Sequence, residues 1–319
     1  MDFEAWLSAP GEPDPLVVET SGSTGRPKRV VLPRRAVLAS VAATEGRLGG
    51  SGQWVLKLPE AYVAGIQVIC RSIVAGHAPH VADGWPAGDG WFTSLVPTQL
   101  RRALDDPAEA AALRRAHTVL LGGGPVDPAL RERAAAAGVR VVATYGSAET
   151  AGGCVYDGLP LDGVGVRIGD DGRIALSGPT LFSHYDGDPG LTAEVLVDGW
   201  FHTADAGLMR DDGRLQVLGR VDDVVVSGGV NVPGPAVAAR LRAHPDVVDA
   251  EVVGVPDDEW GNRLVAFVVG PVPEGDLREW VAAAHPRSWA PRQVVALDAI
   301  PLLANGKPDR VRLRALVTS

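Results

Sequence analysis

The sequence predicts an α/β protein: a large N-terminal α/β domain carrying an antiparallel β subdomain, followed by a small C-terminal α+β domain joined to it by a hinge. Three textures along the 319 residues lead there. Up to Gly146, strand-like runs alternate with helix-like ones, as in a sheet with crossover helices. From Gly152 the strands shorten and are punctuated by Asp-Gly pairs, the turn chemistry of hairpins. After Gly219-Arg220, helices and strands of a third, compact unit follow.

Each element has its own justification. "LVVET" (Leu16–Thr20) and "WVLKL" (Trp54–Leu58) are β-rich runs, and Arg34–Leu48 and Tyr62–Ala75 carry helical periodicity. "HTVLLGGG" (His117–Gly124) and "VRVVATYG" (Val139–Gly146) read as strands on either side of a helix at Pro128–Ala137. The Asp-Gly pairs include Asp157-Gly158, Asp162-Gly163, Asp171-Gly172, Asp198-Gly199 and Asp212-Gly213. The last third offers helices near Ala236–Ala243 and Leu277–Ala284, and strands "DAEVVGV" (Asp249–Val255), "RLVAFVVG" (Arg263–Gly270) and "QVVAL" (Gln293–Leu297). These give a large domain over 1–219, a hinge at 220–222 and a small mobile domain over 223–319.

Composition narrows the function. The formal charge of −9 argues against nonspecific nucleic-acid binding, so any phosphate should belong to a ligand. No apolar run approaches the roughly 20 residues of a bilayer crossing, and no secretory leader opens the chain, so a cytoplasmic protein away from membranes is expected. Cys70 and Cys154, far apart, form neither a disulfide framework nor a zinc spacing. Of 30 cationic residues only Lys28, Lys57 and Lys307 are lysines. Where arginine is the default cation, a retained ammonium points to a position that needs a compact charge, although three residues are few.

The loop in "VVETSGSTGRPKRVVL" joins two β-branched runs through Thr20, Ser21, Gly22, Ser23, Thr24, Gly25 and Lys28. Small residues let backbone N–H groups converge on an anion, hydroxyls add donors, and Lys28 adds charge, which is a phosphate cradle as readily as a plain connection. The loop lacks the Gly-Lys-Ser/Thr of a Walker motif. In "TYGSAET" (Thr144–Thr150) an aromatic and a glycine precede Glu149, suited to stacking a base and offering a carboxylate to a hard cation. "GWFHTADAG" sets Asp205 in a turn, where a carboxylate can accept from ribose hydroxyls. "GRVDD" lies at the change of texture, and "NGKPDR" puts Lys307 on a turn. Singly, each also reads as core, turn former or surface charge.

In this order the segments resemble the adenylate-forming superfamily of acyl-CoA synthetases, luciferases and nonribosomal adenylation domains, over nearly the whole chain. The resemblance implies an AMP-forming acid–thiol ligase using ATP, Mg2+ and coenzyme A. It assigns the loop Thr20–Lys28 to the ATP phosphates, Gly122, Gly123, Gly124, Tyr145 and Gly146 to adenine, Glu149 to magnesium, and Asp205 with Arg220 to ribose. Asp222 becomes the hinge pivot and Lys307 the lysine of the first half-reaction, with Lys28 and Glu149 also catalytic. Five features depart from the family: Ala148 stands where a hydroxyl is usual, Ala204 where glycine is usual before Asp205, Ala61-Tyr62 where histidine is common, Val230 where glutamate is common, and the chain begins just before the phosphate loop, which implies a reduced large domain.

The acid is addressed by "LPEAYVAGIQVICRSIVAG" (Leu58–Gly76), where Arg71 stands among apolar neighbours. A cation there asks for an anion, unless the side chain snorkels to the surface. Together with "GGCVYDGLPLDGV" and "VSGGVNVP", the segment is most similar to the o-succinylbenzoate–CoA ligases of menaquinone biosynthesis, in their short actinobacterial form. That implies a substrate pocket from Tyr62, Gly65, Arg71 and Ser147, with the arginine toward the ligand's carboxylate. The alternatives are a ligase or stand-alone adenylating enzyme for another aryl or acyl acid, and a weakly active nucleotide-binding remnant. The expected partners are a small carboxylic acid, ATP and CoA, and a homodimer is compatible with the sequence.

Overall fold

The computed structural model describes residues 1–20, 27–124, 126–221, 224–302 and 308–317. The chain opens with α1 (Phe3–Ser8), the hairpin β1 (Leu16–Thr20) and β2 (Lys28–Leu32), then α2 (Arg34–Leu48), β3 (Trp54–Val55) and α3 (Val63–Val74). There follow β4 (Phe92–Leu95), α4 (Pro97–Asp105), α5 (Pro107–Leu113), β5 (Thr118–Leu121), α6 (Pro128–Ala136), β6 (Val141–Ser147), a 3-10 turn at Ala148–Thr150, β7 (Gly152–Tyr156) and β8 (Leu159–Pro160). The middle holds β9 (Gly165–Ile168), β10 (Arg173–Ser177), β11 (His184–Tyr185), α7 (Pro189–Val195), β12 (Leu196–Val197), β13 (Trp200–Met209) and β14 (Leu215–Arg220). The remainder is β15 (Val224–Ser227), β16 (Val230–Pro233), α8 (Gly234–Arg242), β17 (Asp249–Asp257), β18 (Gly261–Val269), α9 (Glu274–Ala282), β19 (Gln293–Ala296) and α10 (Arg310–Ala315).

Contacts divide the chain into two units, one holding residues 1–167, 175–203 and 209–215, the other 168–174, 204–208 and 216–319. In the first, six strands run in the order β3-β4-β5-β6-β7-β8. The pairs from β3 to β6 are parallel and those from β6 to β8 antiparallel. Period-two alternation splits β5 between two cores. Val119 and Leu121 pack with Leu100, Leu113 and Leu130 of α4–α6, whereas Leu120 packs with Leu48 of α2 and Val68 of α3. The sheet is therefore covered on both faces, as parallel strands require. A second sheet, β1-β2-β11, brings the β1–β2 hairpin beside β11.

The strands β9, β10, β12, β13 and β14 share a sheet in the order β12-β13-β10-β9, with β14 alongside β13. Two Asp-Gly pairs make the expected tight hairpins. Asp157 and Gly158 have φ of 48° and 81° between β7 and β8, and Asp198 and Gly199 have φ of 50° and 76° between β12 and β13, the backbone a type I′ turn needs.

In the second unit β17 pairs β18 antiparallel and β18 pairs β19 parallel. Ala250 and Val252 face α8 and α9 through Val237, Leu241, Leu277 and Val281, while Val253 and Phe267 face Ile300 and Leu313. No helix among the described residues is long and apolar enough to cross a membrane.

One expected strand is shorter than its sequence suggests. "WVLKL" pairs with β4 only at Trp54 and Val55. The Leu56 N–H turns to the His80 carbonyl, and Lys57 Nζ donates to the Gly84 carbonyl at 2.6 Å and lies 4.8 Å from the Trp85 ring centroid. Lys57 thus tethers the loop at Gly84 and Trp85.

Candidate functional site

Glu149 is built into the site by the turn after β6. It is 8% exposed, its backbone carbonyl accepts from the Phe182 N–H at 2.8 Å, and its Oε1 accepts from the Tyr185 hydroxyl at 2.8 Å. Tyr185 reaches that point because β11 pairs β2 with Tyr185 opposite Val30, two residues along the same strand from Lys28. The Lys28 ammonium accordingly stands 5.3 Å from the centroid of the Tyr185 ring. Burial, and next the charge of Glu149, push the Tyr185 phenol well above its ordinary range, so it stays a donor. Sequence reading proposed Lys28 and Glu149; the register of a two-residue strand joins them through Tyr185, which no motif singled out.

Beside them lie the ends of two adjacent parallel strands. Gly122, Gly123 and Gly124 follow β5, and Tyr145, Gly146 and Ser147 end β6, with Leu121 opposite Ala143. Loops beyond the carboxyl ends of parallel strands are where open α/β sheets take ligands. At Gly146 a side chain would collide with the Gly152 carbonyl, which explains the glycine without a ligand. The Ser147 N–H donates to Thr150 Oγ1 at 2.9 Å, while its own hydroxyl is buried without a partner among the described residues. Thr20, at the end of the hairpin, donates its hydroxyl to the Lys28 carbonyl at 3.5 Å.

Helix α3 supplies the other proposed residues. Tyr62 caps its start and is exposed. Gly65 is buried where any side chain would strike the Pro59 carbonyl, so its size is set by packing. Arg71 does not snorkel: it is 6% exposed. Its Nη2 donates to the Tyr156 hydroxyl at 3.4 Å, its guanidinium lies 5.0 Å from the Trp54 ring centroid, and its Nε has no partner among the described residues. The Tyr156 hydroxyl is 3.0 Å from Thr44 Oγ1. One turn before Arg71, buried Gln67 donates to the Ala151 carbonyl at 2.8 Å, and its Oε1 has no partner among the described residues. Gln67 and Tyr156 were not legible as site residues; a glutamine in an apolar helix face was the available signal.

In the second unit, Asp205 lies within the ten-residue strand β13 and not in the turn its motif suggested, and Arg220 Nη1 stands 3.5 Å from Asp205 Oδ1, joining two residues proposed from separate motifs. Ser21 to Gly25, Asp222 and Lys307 lie outside the described residues. Cys70 and Cys154 are buried, and burial pushes both thiols up to about 12, well away from reactivity at neutral pH. Among the described residues no group of three or more His, Cys, Asp or Glu side chains could hold a metal by itself. An ion at Glu149 would take further ligands from phosphate oxygens and water, as magnesium does. Glu149 fits that part, since its second oxygen is not engaged by the Tyr185 hydrogen bond.

Residues 12–185 match the AMP-binding enzyme family, and residues 236–307 match the AMP-binding enzyme C-terminal domain. The chain is 44% identical to a probable 2-succinylbenzoate–CoA ligase of Mycobacterium tuberculosis, an alignment covering 93% of this chain and 83% of the relative. It superposes with a TM-score of 0.78 and 26% identity on the Bacillus subtilis o-succinylbenzoate CoA synthetase in complex with the acyl-adenylate intermediate, covering 93% of this chain and 68% of that one. An amide bond synthetase of Marinactinospora thermotolerans gives the same TM-score of 0.78 at 28% identity, covering 95% and 69%.

Proposed function

Because the chain belongs to the AMP-binding enzyme family, we propose that it joins o-succinylbenzoate to coenzyme A in two steps. The aliphatic carboxylate attacks the α-phosphorus of ATP, giving an acyl adenylate and pyrophosphate. The CoA thiol then attacks the acyl carbonyl, and AMP leaves. The similarity to 2-succinylbenzoate–CoA ligases supports this acid, and the observation that carries it is Arg71: a buried guanidinium whose Nε has no partner among the described residues, suited to the second carboxylate of o-succinylbenzoate.

Residues divide the work by charge. Negative charge grows on the phosphates in the first step, and Lys28 with the loop donors of Thr20 to Gly25 stabilises it. Glu149 would hold magnesium, which when bound adds positive charge at the phosphate oxygens. Gly122 to Gly124, Tyr145 and Gly146 receive adenine, and Asp205 with Arg220 receives ribose. Tyr62, Gly65 and Ser147 border the acid. Lys307 serves adenylate formation, and a pivot at Asp222 removes it before the thiol attacks.

The test is an assay of purified protein with ATP, magnesium and CoA, following pyrophosphate and thioester separately for o-succinylbenzoate and a panel of aryl and acyl monocarboxylic acids. Thioester formation with o-succinylbenzoate in preference to the panel is expected. Preference for a monocarboxylic acid would reassign the substrate, and no pyrophosphate with any acid would leave a nucleotide-binding remnant.

A further inference from the structure

Lys28 and Glu149 are opposite charges brought to one place, and opposite charges in a half-dry site ordinarily pair. Here they do not: among the described residues Glu149 is hydrogen bonded to the Tyr185 phenol and Lys28 lies against the Tyr185 ring. Tyr185 itself is also held by contacts other than those with the two charged groups. Its backbone pairs with β2, its N–H donates to Thr192 Oγ1 at 2.9 Å at the start of α7, and its ring packs 4.9 Å from that of Phe182. At 3% exposure it has little room to move.

We propose that Tyr185 is a positioning residue for the metal–triphosphate ligand: its hydroxyl occupies one oxygen of Glu149 and its ring accompanies Lys28, so that neither charge neutralises the other. The remaining carboxylate oxygen and the ammonium then meet the incoming ligand already oriented. A donor one step removed from a metal ligand commonly changes metal affinity by about 10- to 100-fold when deleted. The proposal rests on the metal and phosphate roles given above to Glu149 and Lys28.

Tyr185→Phe in the full chain removes the donor and keeps the ring. ATP binding measured by calorimetry, with magnesium and again with chelator, should lose about 10-fold of its preference for the metal complex. Affinity for metal-free ATP should change less than about 2-fold, since the Lys28 contact survives. The free magnesium needed for half-maximal pyrophosphate exchange should rise by a similar factor, with kcat at saturating magnesium near wild type. In a Glu149→Gln background, Tyr185→Phe should add almost nothing, because the group it acts through is gone. Equal weakening with and without metal, an undiminished preference for the metal complex, or full additivity with Glu149→Gln would each overturn the proposal. A wild type that binds ATP equally with and without magnesium would overturn the metal role of Glu149 and this proposal together; preference that survives Tyr185→Phe would overturn this proposal alone.

Discussion

Glu149 and Arg71 are buried to almost the same degree, 8% and 6% exposed, and each is approached by a tyrosine hydroxyl, yet the two charges are treated differently. Glu149 has a short bond from Tyr185, at 2.8 Å. Arg71 has a long contact to Tyr156, at 3.4 Å, the face of Trp54, and an Nε with no acceptor among the described residues. On the roles proposed above, Glu149 has one oxygen fixed by Tyr185 and the other left for the metal, whereas Arg71 is short of partners among the described residues and would be completed by a ligand. On that reading the nucleotide side is oriented by the protein, and the acid side is finished by the substrate.

That contrast can be broken at either end. The largest effect is expected at Glu149: Glu149→Gln removes the charge and should slow pyrophosphate formation by about 100- to 1,000-fold, the scale of losing one electrostatic stabiliser. A variant within a few fold of wild type in a quenched assay would end its catalytic role. Arg71→Met comes next. A charge-assisted bond of about 1.5–3 kcal/mol corresponds to roughly 10- to 100-fold in kcat/KM for o-succinylbenzoate. Because the guanidinium lacks a counter-ion among the described residues, replacing it with an apolar chain should leave the ligand-free melting temperature level or higher. A fall of several degrees would show that the arginine is needed for packing alone. Tyr156→Phe should be milder, a few fold in KM for the acid and about 1 kcal/mol in stability, because it removes a long bond to Arg71 and the contact with Thr44. Unchanged KM, measured beside Arg71→Met, would separate Tyr156 from the acid site. The smallest effect belongs to the thiols: with both pushed up to about 12, the folded protein should resist iodoacetamide below pH 9 and react at both cysteines once denatured. Rapid modification of either in the native protein would contradict that burial.

Much of this was legible in the sequence because local rules and tertiary structure agree. The apolar periodicity of Arg34–Leu48 matches α2 end to end, and two Asp-Gly pairs form the tight hairpins their chemistry favours. Lys28 and Glu149 could be read because each lies in a short, dense motif. Tyr185 could not: it meets them only through the β2–β11 register, and a two-residue strand has too little alternation to announce itself. Nor could the burial of Arg71 be decided, since a helix places an arginine equally well in water or against Trp54 and Tyr156. The helices α4 and α5 went unread for a similar reason, being short and weakly apolar on their own.

The most direct test of the account compares wild-type kcat/KM for o-succinylbenzoate with that for 4-phenyl-4-oxobutanoate, which lacks only the ring carboxylate, under the same ATP and CoA. A buried guanidinium waiting for that carboxylate predicts a preference of about 10-fold or more for o-succinylbenzoate. A ratio near one would mean that Arg71 does not read the second carboxylate, and that the acid side of the site is not completed in the way proposed.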